Sequence, residues 1–236
     1  MSAPLPRPLV NAVLSRALRS ALVGRERVEG RAERSRFTDE DARQLLARSW
    51  QIQSQLVTGL AVEPTFGARM NVWLASLSLA FHRALVEDGV PSARATDVVA
   101  DTAWLVYRTW GKLPWLLARI ATRNPLRRLR ICTDLFRRFP FNAPGYLMED
   151  VEADDAVIFS VRKCPVAEFF AGQGATDLCV RTWCALDFPL AETWGGSLQR
   201  SGTLAGGATG CDFKWSPRSS PAPSRLHART GAGGEL

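Results

Sequence analysis

The chain has 236 residues, 46% hydrophobic and 22% charged, with a formal net charge of +7. These are the proportions of a soluble globular protein with one ordinary to large domain or two small ones, and its core needs no disulfide staples. Lysine occurs only at Lys112, Lys163 and Lys214, so the basicity is arginine beside abundant Ala, Leu and Gly; this bacterial-like, high-GC coding pattern weakens any inference from arginine to nucleic acid.

Residues 1–36 read as a basic, partly disordered N-terminal extension. Arginines interrupt every apolar run there, so no secretory signal is visible and the default compartment is the cytoplasm. Leu9, Val13, Leu14, Leu18 and Leu22 have helical spacing, so a short basic amphipathic helix with weak peripheral membrane contact is one reading. A solvated extension is the plainer one.

Residues 37–140 read as a helical half of three to five helices. Thr38 is a natural N-cap and Asp41, three residues on, supplies the acid of a capping box. A second helix runs from about Phe66 to Glu87, with Met70, Trp73, Leu74, Leu77, Phe81 and Leu85 repeating at three and four. It is too short and too polar to span a bilayer. A third begins near Ser92, and Gly111 and Pro114 are expected to break or kink it. Asn124-Pro125 opens a basic amphipathic segment through Phe136, read as a half-buried helix rather than a nucleic-acid surface.

Residues 141–215 read as a smaller, cysteine-bearing α+β half. Ala156–Val161 is β-rich, and Ser197–Leu204 and Cys211–Trp215 read as two strands joined by the turn through Gly206 and Gly207. Pro165–Gly172 and Thr176–Ala185 read as short helices. The expected fold class is therefore α+β, a helical half packed on a short antiparallel sheet, followed by a low-complexity, disordered tail over 216–236.

Four of the five cysteines lie between Cys164 and Cys211. The odd count fits a closed disulfide frame poorly. Only the Cys179–Cys184 gap is as short as structural zinc demands, and no second pair accompanies it. A mixed metal site with Asp187 or Asp212 is the remaining metal alternative; otherwise no cofactor is expected. A reactive thiol needs a lowered pKa. Cys164, before Pro165 at a helix start, is placed for help from the helix dipole. Cys184 lies three residues before Asp187, and Cys211 precedes Asp212. Arg200 suits bidentate binding of a carboxylate. Cys132 and Cys179 look like packing residues. His82 is the one credible imidazole, since His227 falls in the tail.

The run from the strand leading to Cys164-Pro165, through Leu178-Cys179…Trp183-Cys184-Ala-Leu-Asp187 and Arg200…Thr203-Leu204, to Cys211-Asp212-Phe213-Lys214-Trp215 resembles the L-2-amino-thiazoline-4-carboxylic acid hydrolase family. The resemblance implies a hydrolase that opens a small cyclic amidine or thiazoline carboxylate, giving an N-carbamoyl-cysteine type of product. Its motif positions fall on Cys164, Cys184, Asp187, Arg200, Cys211 and Asp212. On that footing Cys184 is the preferred nucleophile, Asp187 or Asp212 moves protons, and Arg200 holds the substrate carboxylate, with Thr203 and His82 as further substrate-binding candidates. The expected partner is a small-molecule substrate, with no nucleic acid and no transmembrane segment. The alternatives are a non-catalytic module binding a small ligand or metal, and an adaptor using the basic segments.

Overall fold

The structure, a computed structural model, describes residues 4–27 and 36–218. Its first element overturns the plainer reading of the N-terminus. Helix α1 (Arg7–Leu22) forms, and Val10, Leu14, Leu18 and Leu22 are buried on one face. They pack with residues of α2 (Asp39–Leu56), α3 (Phe66–Glu87) and the first half of α4 (Ser92–Ala121). Three arginines in and just after α1 are matched by acids: Arg19 pairs with Asp39 at 2.8 Å, Arg25 with Asp101, and Arg27 with both Asp41 and Asp88. The face of α1 that carries Val10, Leu14, Leu18 and Leu22 is therefore occupied by the core, while Leu9 and Val13 stay exposed. Residues 28–35 lie outside the described residues.

The capping box at α2 is present: the Thr38 hydroxyl accepts from the Asp41 N–H, and the Asp41 carboxylate accepts from the Thr38 N–H. Helix α3 is the central helix, apolar on nearly all sides and buried from Gly67 to Leu85, as its composition requires. Gly67 is obligatory there. A Cβ would lie 2.1 Å from the Pro140 carbonyl oxygen, and the clash is with backbone, which cannot swing aside. Gly67→Ala is expected to destabilise by about 1–3 kcal/mol, read as a lower urea midpoint; an unchanged midpoint would show that the two segments separate at no cost.

Helix α4 runs unbroken through Gly111 and Pro114, so the expected break does not occur. Gly111 is a close-approach residue: a Cβ there would meet Leu190 Cδ1 at 2.4 Å, and its carbonyl accepts the Trp194 indole N–H at 2.9 Å. Pro114 forfeits one helical N–H, but it is buried where α4 packs on α5 (Pro125–Arg138) and α8 (Asp187–Thr193), and tertiary packing overrides the local penalty.

The second half is a four-stranded antiparallel sheet in the order β1 (Leu147–Val151), β2 (Val157–Lys163), β4 (Cys211–Pro217), β3 (Gly196–Gln199). Helices α6 (Pro165–Gly172) and α7 (Thr176–Arg181), a 3-10 turn at Cys184–Leu186 and then α8 connect β2 to β3. The protein is thus α+β, with five helices preceding the sheet among the described residues. Strand β1 falls where the sequence suggests no element, and the single helix expected over Thr176–Ala185 is instead α7 followed by the 3-10 turn. Strand β4 also extends two residues into the expected tail.

Candidate functional site

Strands expose alternate residues on opposite faces. On β4, Cys211, Phe213 and Trp215 face inward, and on β2 so do Phe159 and Val161. Helix α5 covers this face with Thr133, Phe136 and Arg137, α4 contributes Tyr107, and α8 and its C-cap contribute Asp187, Leu190 and Trp194. Between them lies a cavity of about 120 Å³. Aromatic side chains are the largest group in its wall: Phe159 stacks on Phe213, Phe213 on Trp215, and Trp194 meets both Trp215 and Phe136. Arg137, paired with Asp150 through both terminal nitrogens, lies over the Phe159 ring and lines the cavity from α5.

One end of the cavity is polar. Arg200, which follows β3, has only 6% of its side chain exposed. Its Nη1 donates to Asp187 Oδ2 at 2.9 Å and its Nη2 to the Cys184 carbonyl at 2.6 Å. The rings of Phe188 and Phe213 flank its guanidinium. Burial pushes the Asp187 carboxyl up to about 6, although the charge and hydrogen bond of Arg200 hold it down. Asp187 is therefore an acid that titrates near neutrality.

Cys184 sits beside this pair. The thiol of Cys179 donates to its sulfur, and that bond, with the Arg200 charge and a hydrogen bond from Thr203, outweighs burial and the opposing Asp187 charge and holds Cys184 below the ordinary thiol value. Cys179 moves the opposite way, upward, because its proton is committed to Cys184 and it is buried. Cys179 was read as a packing residue; it is buried, and it is also the donor that tunes Cys184.

The other candidates separate clearly. Cys164 does occupy the N-cap of α6, but burial pushes its thiol up to about 12, so desolvation defeats the helix dipole. Cys211 lines the cavity and is raised by burial; its sulfur accepts the Leu204 N–H at 3.2 Å. Cys132 is a packing residue of α5, raised to about 12 by burial. Asp212 does not join the cavity. It is exposed on the opposite face of β4, and its carboxylate accepts from the N–H groups of Ser201 and Gly202 and the Ser201 hydroxyl. What little burial it has acts upward, but those bonds prevail and hold it near 2. Asp212 fixes the loop that carries Arg200 and remains ionised, so it is not placed to move protons. His82 is also elsewhere: it bonds Ser92 at 3.3 Å, tying α3 to the start of α4, and burial lowers its pKa. Thr203 bonds Cys184 and also accepts the Gly206 N–H, so it shapes the site from its edge. Among the described residues no three His, Cys, Asp or Glu side chains converge to hold a metal ion.

The sequence reading missed the aromatic wall and Trp215. The indole N–H of Trp215 is buried without a hydrogen-bond partner among the described residues, and the ring lines the cavity. An orphaned buried donor is costly and suits an acceptor on a bound molecule. Strand alternation from Cys211 to Trp215 was the available signal.

Fold and site together define an α+β protein with a thiol, a carboxyl and a guanidinium gathered at one end of an aromatic cavity. Residues 121–215, from the last residue of α4 to Trp215, match the family model described as L-2-amino-thiazoline-4-carboxylic acid hydrolase. The resemblance carried by Cys164-Pro165, Cys184…Asp187, Arg200 and Cys211-Asp212-Phe213 is borne out over that segment, which holds all five cysteines. No curated protein matches the chain. A solved structure, the Fe(II) unliganded H-NOX protein from K. algicida, is 12% identical, with 75% of this chain and 97% of that chain covered at a TM-score of 0.36. Likeness at that level bears on neither fold nor ligand. No described helix is long and apolar enough to cross a membrane.

Proposed function

We propose that the protein is a hydrolase that opens a small cyclic amidine or thiazoline carboxylate, of the L-2-amino-thiazoline-4-carboxylate type, in the cavity between α4, α5, α8 and the sheet. The observation that carries this reading is Cys184, a thiol held below its ordinary value beside Asp187 and Arg200. The family match over the same residues supports it.

In this reading Asp187 starts as the carboxylate. It takes the Cys184 proton as the sulfur adds to C2 of the ring, then gives that proton to the ring sulfur as the C2–S bond breaks. The substrate is now joined to Cys184 as an S-linked isothiourea. Water attacks the same carbon, Asp187 takes one of its protons, and the proton passes to Cys184 as the second C–S bond breaks. One water is consumed, and a carbamoyl group and a free thiol result. Arg200 uses two of its five donors on Asp187 and Cys184, leaving others for the substrate carboxylate. The Trp215 N–H is a further donor for a ring substituent.

The test is turnover of L-2-amino-thiazoline-4-carboxylate by the purified chain, with N-carbamoyl-cysteine as the product to be detected. The pH profile adds a prediction. Because Asp187 must be ionised, kcat/KM is expected to fall as pH drops through about 6. Asp187→Asn should abolish that limb along with most of the rate. A second reading, a non-catalytic module binding a flat small molecule, draws on the stacked aromatics of the wall. Saturable binding without product would favour it.

A further inference from the structure

The second half of α4 carries apolar side chains that nothing in the fold covers. Leu113 is 63% exposed, Leu116 55%, Leu117 45% and Ile120 77%. They stand at i, i+3, i+4 and i+7, which is one helical stripe. The patch continues around the helix through Trp110, which stacks on exposed Phe139, which in turn stacks on exposed Phe66. Contiguous apolar surface of this kind marks an interaction site. From Thr102 to Thr133 the chain has no Asp or Glu. Among the described residues Arg108, Lys112, Arg119, Arg123 and Arg127 are exposed and make no ion pair. In and after α1, by contrast, Arg19, Arg25 and Arg27 are each answered by an acid. On the helix surface, Arg108, Lys112 and Arg119 flank the stripe along one edge.

We infer that this face of α4 docks on an anionic lipid bilayer, with Leu113, Leu116, Leu117 and Ile120 entering the headgroup–acyl boundary and the flanking cations meeting lipid phosphates and carboxylates. An aliphatic stripe edged by unpaired cations, with an aromatic at one end, is the pattern of an interfacial helix. A second copy of the chain fits worse, because it would bring the same uncompensated cations face to face. Nucleic acid would engage the cations and leave the stripe exposed. The placement also relates to the interior. Trp110 lines a second cavity of about 80 Å³, which shares Tyr107, Phe136, Trp183 and Leu186 with the candidate site. Docking would set that cavity beside the membrane.

Co-sedimentation of the full chain with vesicles tests this. Mixed phosphatidylserine–phosphatidylcholine vesicles should carry the protein down at low salt, progressively less as salt is added, and pure phosphatidylcholine vesicles far less. Lys112→Gln with Arg119→Gln should weaken partition by about thirtyfold, at about 1 kcal/mol per cation. Leu116→Ser with Ile120→Ser should weaken it by about tenfold or more. Both pairs are exposed, so circular dichroism and the urea midpoint should be unchanged. Three results would overturn the inference: no sedimentation with anionic vesicles at low salt, sedimentation that survives both double variants, or a solution dimer dissolved by Leu116→Ser with Ile120→Ser. Tight binding of duplex DNA that the charge variant abolishes and the Leu116/Ile120 variant spares, without vesicle binding, would overturn it as well.

Discussion

Replacing Cys184 with alanine is expected to reduce turnover of the thiazoline carboxylate by on the order of 10⁴-fold or more, the scale on which deletion of a nucleophile acts. The reason is the partition of thiolate among the five cysteines. With pKa values pushed to about 12, Cys164 and Cys132 present roughly one thiolate in 10⁵ at pH 7. Cys211 and Cys179 are raised as well. Cys184 alone is moved down. A limiting dose of iodoacetamide at neutral pH should therefore label Cys184 first, as read by peptide mass. Cys132→Ala should leave turnover within a few-fold of the parent. Cys179→Ala should slow labelling of Cys184 by raising its pKa, without removing the nucleophile. Retention of turnover by Cys184→Ala to within tenfold, or first labelling at Cys164, would sink the assignment.

What the sequence made legible followed from local patterns. The capping box at Thr38, the three-and-four periodicity of α3 and the Pro165 start of α6 are short-range signals, and each formed where read. The errors share a physical cause: the outcome was decided by residues far away in the chain. Pro114 reads as a breaker, yet α4 continues because α5 and α8 pack against it. Helix α1 reads as an appendage, yet Arg19 on it and Arg25 and Arg27 just after it find Asp39, Asp101, Asp41 and Asp88. At the site, Cys184, Asp187 and Arg200 could be picked out by type and spacing, and the fold brings them together through two hydrogen bonds from Arg200. Asp212 was separable in principle: neighbours on a strand face opposite ways, so Cys211 and Asp212 cannot both enter one cavity. The depression of Cys184 by Cys179 was not legible, because it depends on how the backbone turns between α7 and the 3-10 turn.

Arg200→Leu is expected to cost about 3–5 kcal/mol of stability at neutral pH, the usual loss when one member of a buried ion pair is removed. The pair sits where α8, the 3-10 turn and the loop after β3 meet, so all three are loosened together. The loss should also depend on pH. Asp187 in the parent protein titrates near 6, above the ordinary aspartate value of 3.8 that it regains on unfolding. The folded state therefore binds the proton more tightly, and this group's contribution to stability is fully present below about pH 4 and is lost as pH rises through 6. Without the Arg200 charge, which lowers the Asp187 pKa, the folded value rises further, and the decline continues above pH 6. Urea midpoints of the parent and Arg200→Leu should accordingly lie closer at pH 5 than at pH 8. Arg200→Lys keeps a charge but cannot grip both the Asp187 carboxylate and the Cys184 carbonyl, so it should fall between the two. A loss for Arg200→Leu that is the same at both pH values would mean that packing against Phe188 and Phe213, rather than the charge on Asp187, is what Arg200 supplies.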